Sequence, residues 1–272
     1  MLNRLIKRSL LFLKRDLFIN ISYRFQFIFS IVSIFVSVFV FFLLSSFLEG
    51  SNEYLKEYGD DYFYFLIVGI TITDLSLRVS NSLNIEIRNY QVTGIFEELI
   101  NTKIPISELL MYSFLYPIFF SLFRMFIFFI FAILFFELSI SFQNLGFVFL
   151  AIFFTLISFI GIGLIAGAYT ISFKKGNPMS SVTQLSIVII SGIIFPIDVL
   201  PGWLQTFSNF IPITHSAELL RYLFLENSEI NDFVFIRLFY LILSSLILIT
   251  LGNLLINLAI KTGKKNGTLM FY

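Results

Sequence analysis

The sequence has no cysteine and a single histidine among its 272 residues. Disulfides and thiolate-bound metals are therefore excluded, and one imidazole without a soft partner argues against zinc. Charge is scarce too. Asp, Glu, Lys and Arg together make 13% of the chain, about half of the roughly 25% usual in soluble domains. Neither G-x-x-x-x-G-K-[ST] nor G-x-S-x-G occurs, so the chain offers no phosphate-cradling loop and no serine-hydrolase elbow. What fills the sequence is apolar: 58% hydrophobic and 19% aromatic residues, with 38 Phe. A chain of this length cannot hide so much apolar surface in one soluble core, and a disordered chain would carry far less of it. The apolar runs are continuous, unlike the alternating segments of a β-barrel, so the composition predicts an all-α integral membrane protein.

Six stretches read as spans, at residues 25–48, 62–81, 109–136, 145–173, 182–196 and 233–260, giving one transmembrane domain over 1–272. The basic residues orient them. Thirteen (Arg4, Lys7, Arg8, Lys14, Arg15, Arg24, Arg88, Lys103, Lys174, Lys175, Lys261, Lys264, Lys265) fall on one side and two (Lys56, Arg221) on the other. Both termini are therefore expected in the cytoplasm. The long basic start and the full-length apolar run behind it fit a retained first span better than a signal peptide. Residues 1–22 put Leu2, Leu5, Ile6, Leu10, Leu13, Leu17 and Ile21 on one helical face and the cations on the other, the pattern of an interfacial amphipathic helix.

Charges inside spans are candidates for function. Asp74 and Arg78 are four apart in the second span, acid before base, as an intrahelical pair requires. Arg124 lies near the middle of the third and must face protein, water or a partner; structural and pathway roles both stand. Arg237, at the outer start of the last span, is expected to snorkel. His215 has no nucleophile or metal partner nearby in sequence and reads as a hydrogen-bonding group. Gly163-x-x-x-Gly167, with Gly161, gives the fourth span a small face for close packing, within the chain or between chains.

Two segments break the pattern. Residues 84–108 are polar but periodic: Gly94 punctuates them, and Ile95, Phe96, Leu99 and Ile100 form a stripe opposite Glu97 and Glu98. A short surface helix with a protruding aromatic suits docking to a soluble partner, and equally an ordinary connector. Residues 197–225 follow a fifth span expected to be halted by Pro196. Their pieces, around Trp203 and after Pro212, are too short to span and too apolar to float free. They read as half-helices in the outer leaflet, with a helix start at Thr214 and Trp203 at headgroup level. Lid and packing wedge are both open readings.

These two segments carry a resemblance. Ser191, Gly192, Phe195, Pro196, Leu200, Pro201, Trp203 and Leu204, then Pro212, Thr214 and Arg221, match in order a pattern of the permease subunits of type-2 ATP-binding-cassette exporters. Upstream, Glu86, Arg88, Gly94, Glu97, Leu99, Thr102, Pro105 and Ser107 resemble the coupling stretch of that family, with Ile95 where Thr is usual and Lys103-Ile104 inserted before Pro105. The resemblance implies a six-span bundle with an N-terminal interfacial helix, a cytoplasmic coupling helix and extracellular re-entrant half-helices. It implies pairing with a second permease copy, identical or different, and with two cytoplasmic ATPase subunits that bind ATP and Mg. This chain itself binds no cofactor and no nucleic acid on that reading, and sits among the lipids of a plasma (inner) membrane. Glu86, Arg88, Gly94, Phe96 and Glu97 are the expected ATPase-coupling residues; Pro196, Pro201, Trp203 and Pro212 mark the expected exit region; Asp74, Arg78 and Arg124 are the intramembrane charges. The cargo expected is an amphiphile or lipid-linked glycan. The alternatives are an ion-coupled carrier or channel without an ATPase, and a membrane-embedded enzyme.

Overall fold

The computed structural model describes residues 2–48, 61–100, 102, 104–173, 184, 189–225 and 228–266, and these residues form helices and connections with no strand. In chain order the helices are α1 (Leu2–Ser22), α2 (Arg24–Leu48), α3 (Tyr62–Val92), α4 (Ile95–Ile100), α5 (Ile106–Tyr112), α6 (Leu115–Phe136), α7 (Leu145–Phe173), α8 (Gly202–Ser208), α9 (Pro212–Phe224) and α10 (Asp232–Asn266). Five are long and apolar enough to cross a membrane: α2, α3, α5 continued into α6, α7 and α10. Of the span expected at 182–196, residues 182, 183 and 185–188 lie outside the described residues, as do the acidic loop 49–60 and Lys174 and Lys175.

Helix α3 is the centre of the bundle, and its buried side chains run from Tyr62 to Ile87. It starts where Asp61 caps it, the carboxylate accepting from Phe63 N at 2.8 Å and Tyr64 N at 3.1 Å. It does not stop at the polar residues near 81, as expected, but continues to Val92. Polarity marks where a helix leaves lipid; only a breaker ends it, and the first one is Gly94, at φ +74°. The third span is divided, with a turn at Ser113 and Phe114. Pro117 lies in the first turn of α6, where its missing N–H costs nothing. Phe side chains stitch α2 to α6: Phe35 meets Phe131 and Phe135 edge-on at 5.6 and 5.4 Å between centroids.

The small face of α7 is used inside the chain. A Cβ on Gly161 would lie 2.5 Å from the Leu248 carbonyl carbon of α10, and one on Gly252 would lie 2.7 Å from the Gly161 oxygen. The two backbones therefore cross in contact, which only paired glycines allow. Gly163 and Gly167 likewise admit Phe114 of the α5–α6 turn and Leu83 and Ile87 of α3. Gly161→Val is expected to destabilise the bundle by about 1–3 kcal/mol, the usual cost of overpacking. A lowered midpoint in a detergent melting scan checks this, and an unchanged one would contradict the crossing.

Candidate functional site

The helix that holds residues 189 and 190 breaks after residue 190, and side chains from several elements bond the break. Residues 189 and 190 are helical, and the helix ends at Ser191, well before Pro196. Gly192 adopts φ +69°, a conformation that L side chains resist. A Cβ there would also lie 2.6 Å from Ile197 Cγ1. A 3-10 turn at Ile197–Val199 leads into α8 and then α9. Helix α9 begins at Pro212, the residue best suited to a first helical position, with Ile211 as N-cap. Thr214 is thus not the helix start expected.

Unwinding frees carbonyls, and buried carbonyls need donors. Five in a row receive them from side chains. Ser208 Oγ donates to the Ile190 carbonyl and Thr214 Oγ1 to that of Ser191 at 3.4 Å. Arg221 Nη1 donates to Gly192 O at 2.9 Å and Nη2 to Ile193 O at 3.0 Å. Tyr62 OH completes the run on Ile194 O at 2.8 Å. Arg221 is the largest fully buried side chain of the described residues. Its Nε donates to Phe65 O at 3.1 Å, and its guanidinium carbon lies 3.4 Å from the Phe65 ring centroid. Tyr64 OH donates back to the Arg221 carbonyl. Gly69 leaves the room, since a Cβ there would sit 2.5 Å from Arg221 Nη2. The family-like residues Ser191, Gly192, Thr214 and Arg221 are therefore one structure, a clamp between the broken segment and the start of α3.

Beside the clamp, His215 Nε2 bonds the Asn209 carbonyl at 2.7 Å and Nδ1 lies 2.9 Å from Arg237 Nη1. Arg237 is ion-paired with Glu218 rather than snorkelling. His215 is a hydrogen-bonding group, as expected. Of the four exit-region residues, Pro196 and Pro212 are buried, whereas Pro201 and Trp203 are exposed.

The intramembrane charges form one network. Arg124 makes a two-point contact with Asp74, Nε to Oδ2 at 2.8 Å and Nη2 to Oδ1 at 3.1 Å. Its Nη1 reaches the Ser30 hydroxyl at 2.6 Å and carbonyl at 3.0 Å on α2. Arg78 Nε shares Asp74 Oδ2 at 3.0 Å. The expected Asp74–Arg78 pair is present, and Arg124 turns it into a tie among α2, α3 and α6.

The expected coupling residues surround the elbow between α3 and α4. Arg15 of α1 contacts Glu86 at 3.4 Å and Tyr90 at 3.5 Å, and Arg8 holds Glu108 at 3.0 Å. The amphipathic helix is thereby tied to the elbow on both flanks. Arg88 is exposed and Gly94 has open space around it. Phe96 does not protrude: it is 2% exposed and joins the core. Ile95 and Val92 are the outward apolar residues. The side chain of Glu97 lies outside the described residues.

Among the described residues, no group of three or more His, Cys, Asp or Glu could hold a metal. Comparison with curated proteins gave no match. Comparison with family sequence profiles matched residues 2–225 to the ABC-2 type transporter. That stretch takes in α1, the elbow, the charge network and the clamp, with four of the five helices able to cross a membrane; the fifth, α10, lies beyond it. The chain belongs to the ABC-2 type transporter family, as a multi-pass membrane permease component.

Proposed function

We propose that the chain is the permease of an exporter driven by ATP-binding-cassette ATPases, a partner that the family itself implies. In this reading it has six spans, with 182–196 as the fifth and both termini cytoplasmic. The ATPase docks on the elbow at 84–108 and on α1. A second permease copy completes the pathway, and an amphiphilic cargo or lipid-linked glycan leaves past re-entrant helices α8 and α9. The clamp supports that depth, because unwound backbone is tolerated within a bilayer only where protein satisfies it.

The observation that carries the reading is α3 itself. It is one uninterrupted helix of 31 residues, about 46 Å long at 1.5 Å per residue. One end bears the elbow and the contacts to α1. The other holds the broken segment through Tyr62, Tyr64 and Phe65. A push from an ATPase at the elbow would travel along a rigid rod to the exit.

Two experiments test this. The absence of cysteine makes single-cysteine labelling direct: Val199→Cys should react with an impermeant thiol reagent in intact cells, and Val92→Cys only after permeabilisation. The reverse pattern would invert the orientation. Gly94→Val puts a β-branched side chain at positive φ, costing about 1–2 kcal/mol locally, and should re-aim α4. We expect the purified variant to keep its melting midpoint within a few degrees and lose most of its co-purifying ATPase. Transport that ignores ATP and follows an ion gradient would overturn the exporter reading in favour of a carrier.

A further inference from the structure

A cavity of about 830 Å³ lies between α1, α3 and α6, reaching from Asp74 and Arg78 to Arg15, Asp16 and Glu86. Its charges are laid out in order of depth. At the inner end two arginines share one carboxylate, since Asp74 serves both Arg78 and Arg124, so among the described residues that end carries one excess positive charge. At the mouth one arginine faces two carboxylates, Arg15 with Asp16 at 2.7 Å and with Glu86 at 3.4 Å, so among the described residues that end carries one excess negative charge. Arg124 spends its donors on Asp74 and Ser30. Arg78 does not: only Nε is bonded, its terminal nitrogens have no hydrogen-bond partner among the described residues, and its side chain is 38% exposed. Guanidinium N–H groups aimed into a cavity at membrane depth are a demand for an anion. Apolar side chains (Leu77, Ile85, Phe120 and Ile19) line the same space.

We propose that this cavity binds the zwitterionic headgroup of an aminophospholipid from the cytoplasmic leaflet. Its phosphate lies against Arg78, and its primary ammonium points out toward Asp16 and Glu86. The polarity of the cavity matches that of the headgroup, since phosphate lies nearer the acyl chains and the amine nearer the cytosol. Arg78 and Glu86 are eight residues apart on α3, about 12 Å along the axis, a span that the guanidinium, the phosphate and an ethanolamine arm bridge together. An ammonium with three N–H donors can satisfy both mouth carboxylates, which a choline group cannot. A lipid with a net negative headgroup meets Arg78 equally well but is repelled at the mouth. The inference rests on the membrane-spanning arrangement and orientation proposed above, and not on the identity of the cargo.

Native mass spectrometry of the purified protein, with whatever subunits co-purify, tests this by titration with short-chain phosphatidylethanolamine, phosphatidylglycerol and phosphatidylcholine. Phosphatidylethanolamine should bind tightest. Arg78→Gln should weaken it about tenfold, the loss of roughly one charge-assisted contact, and Arg78→Lys should recover most of the loss. Glu86→Gln should abolish the preference over phosphatidylglycerol. Equal binding of the choline and ethanolamine lipids, unchanged binding in Arg78→Gln, or displacement by millimolar inorganic phosphate would each overturn the proposal. ATPase co-purification, scored on the same preparations, separates the two readings. Lipid preference without an ATPase sinks the transporter and keeps this site; an ATPase without the preference does the opposite.

Discussion

Arg221→Ala is expected to abolish most folded protein. The substitution strips donors from the carbonyls of Phe65, Gly192 and Ile193 and leaves a void beneath the Phe65 ring. Each buried carbonyl without a partner costs about 1–3 kcal/mol, so the three together cost roughly 5 kcal/mol before any cavity is counted. For a chain of this size that lowers a melting midpoint by roughly 10 °C or more. Size-exclusion profiles and a thermal scan in mild detergent read the effect. A midpoint within about 2 °C of the parent would mean that the carbonyls find other donors, and the clamp would be refuted. Arg221→Lys should fall between the two. An ammonium keeps the charge and can reach one or two of the carbonyls, but it loses the planar fork and the stacking over Phe65.

The clamp also shows why part of the structure could be read from the sequence and part could not. Spans are written locally, as apolar length, so 145–173 coincides with α7 and the first span with α2 to within a residue. Helix ends are written by breakers, and polarity alone points to an end of the second span some ten residues before Val92. The division at Ser113 did have a signal, since Pro117 fits only the first turn of a new helix. The fifth span is expected to end at Pro196, whereas Gly192 breaks the helix earlier because the Arg221 fork and the Thr214 hydroxyl offer its carbonyls better partners than another turn would. Those partners lie 23 to 29 residues away, and Phe65 and Tyr64 lie 156 and 157 away. No periodicity encodes contacts at that range. The role of Gly69 had only a faint trace, a lone glycine in an otherwise bulky span. Phe96 failed for a related reason: a six-residue helix has no face of its own, and packing against the core decides which way its aromatic turns.

Asp74→Asn should be the most damaging change among the intramembrane charges. Among the described residues Asp74 is the one carboxylate paired with both arginines, and Arg124 is 5% exposed at its side chain. An amide keeps the shape but removes the charge, and it turns an N–H₂ group toward one guanidinium. Leaving a buried charge without its partner costs about 3–5 kcal/mol. Arg78 contributes less to that cost, because its partly exposed side chain can move toward the cytoplasmic surface. Ser30→Ala should cost only about 1 kcal/mol, one hydrogen bond to a charged group that keeps its other partners. The decisive comparison is the double variant Asp74→Leu with Arg124→Met. Replacing both members of a buried pair with apolar groups is often close to neutral, so the double variant should recover more than half of the stability that Asp74→Asn loses. A coupling of that sign, read from melting midpoints of the single and double variants, identifies the network as a tie among α2, α3 and α6. Additive losses would mean that the two side chains act separately. A stable Asp74→Asn protein that binds its ATPase but does not transport would move the charges from the scaffold to the pathway, because only a role in transport survives intact folding and intact docking.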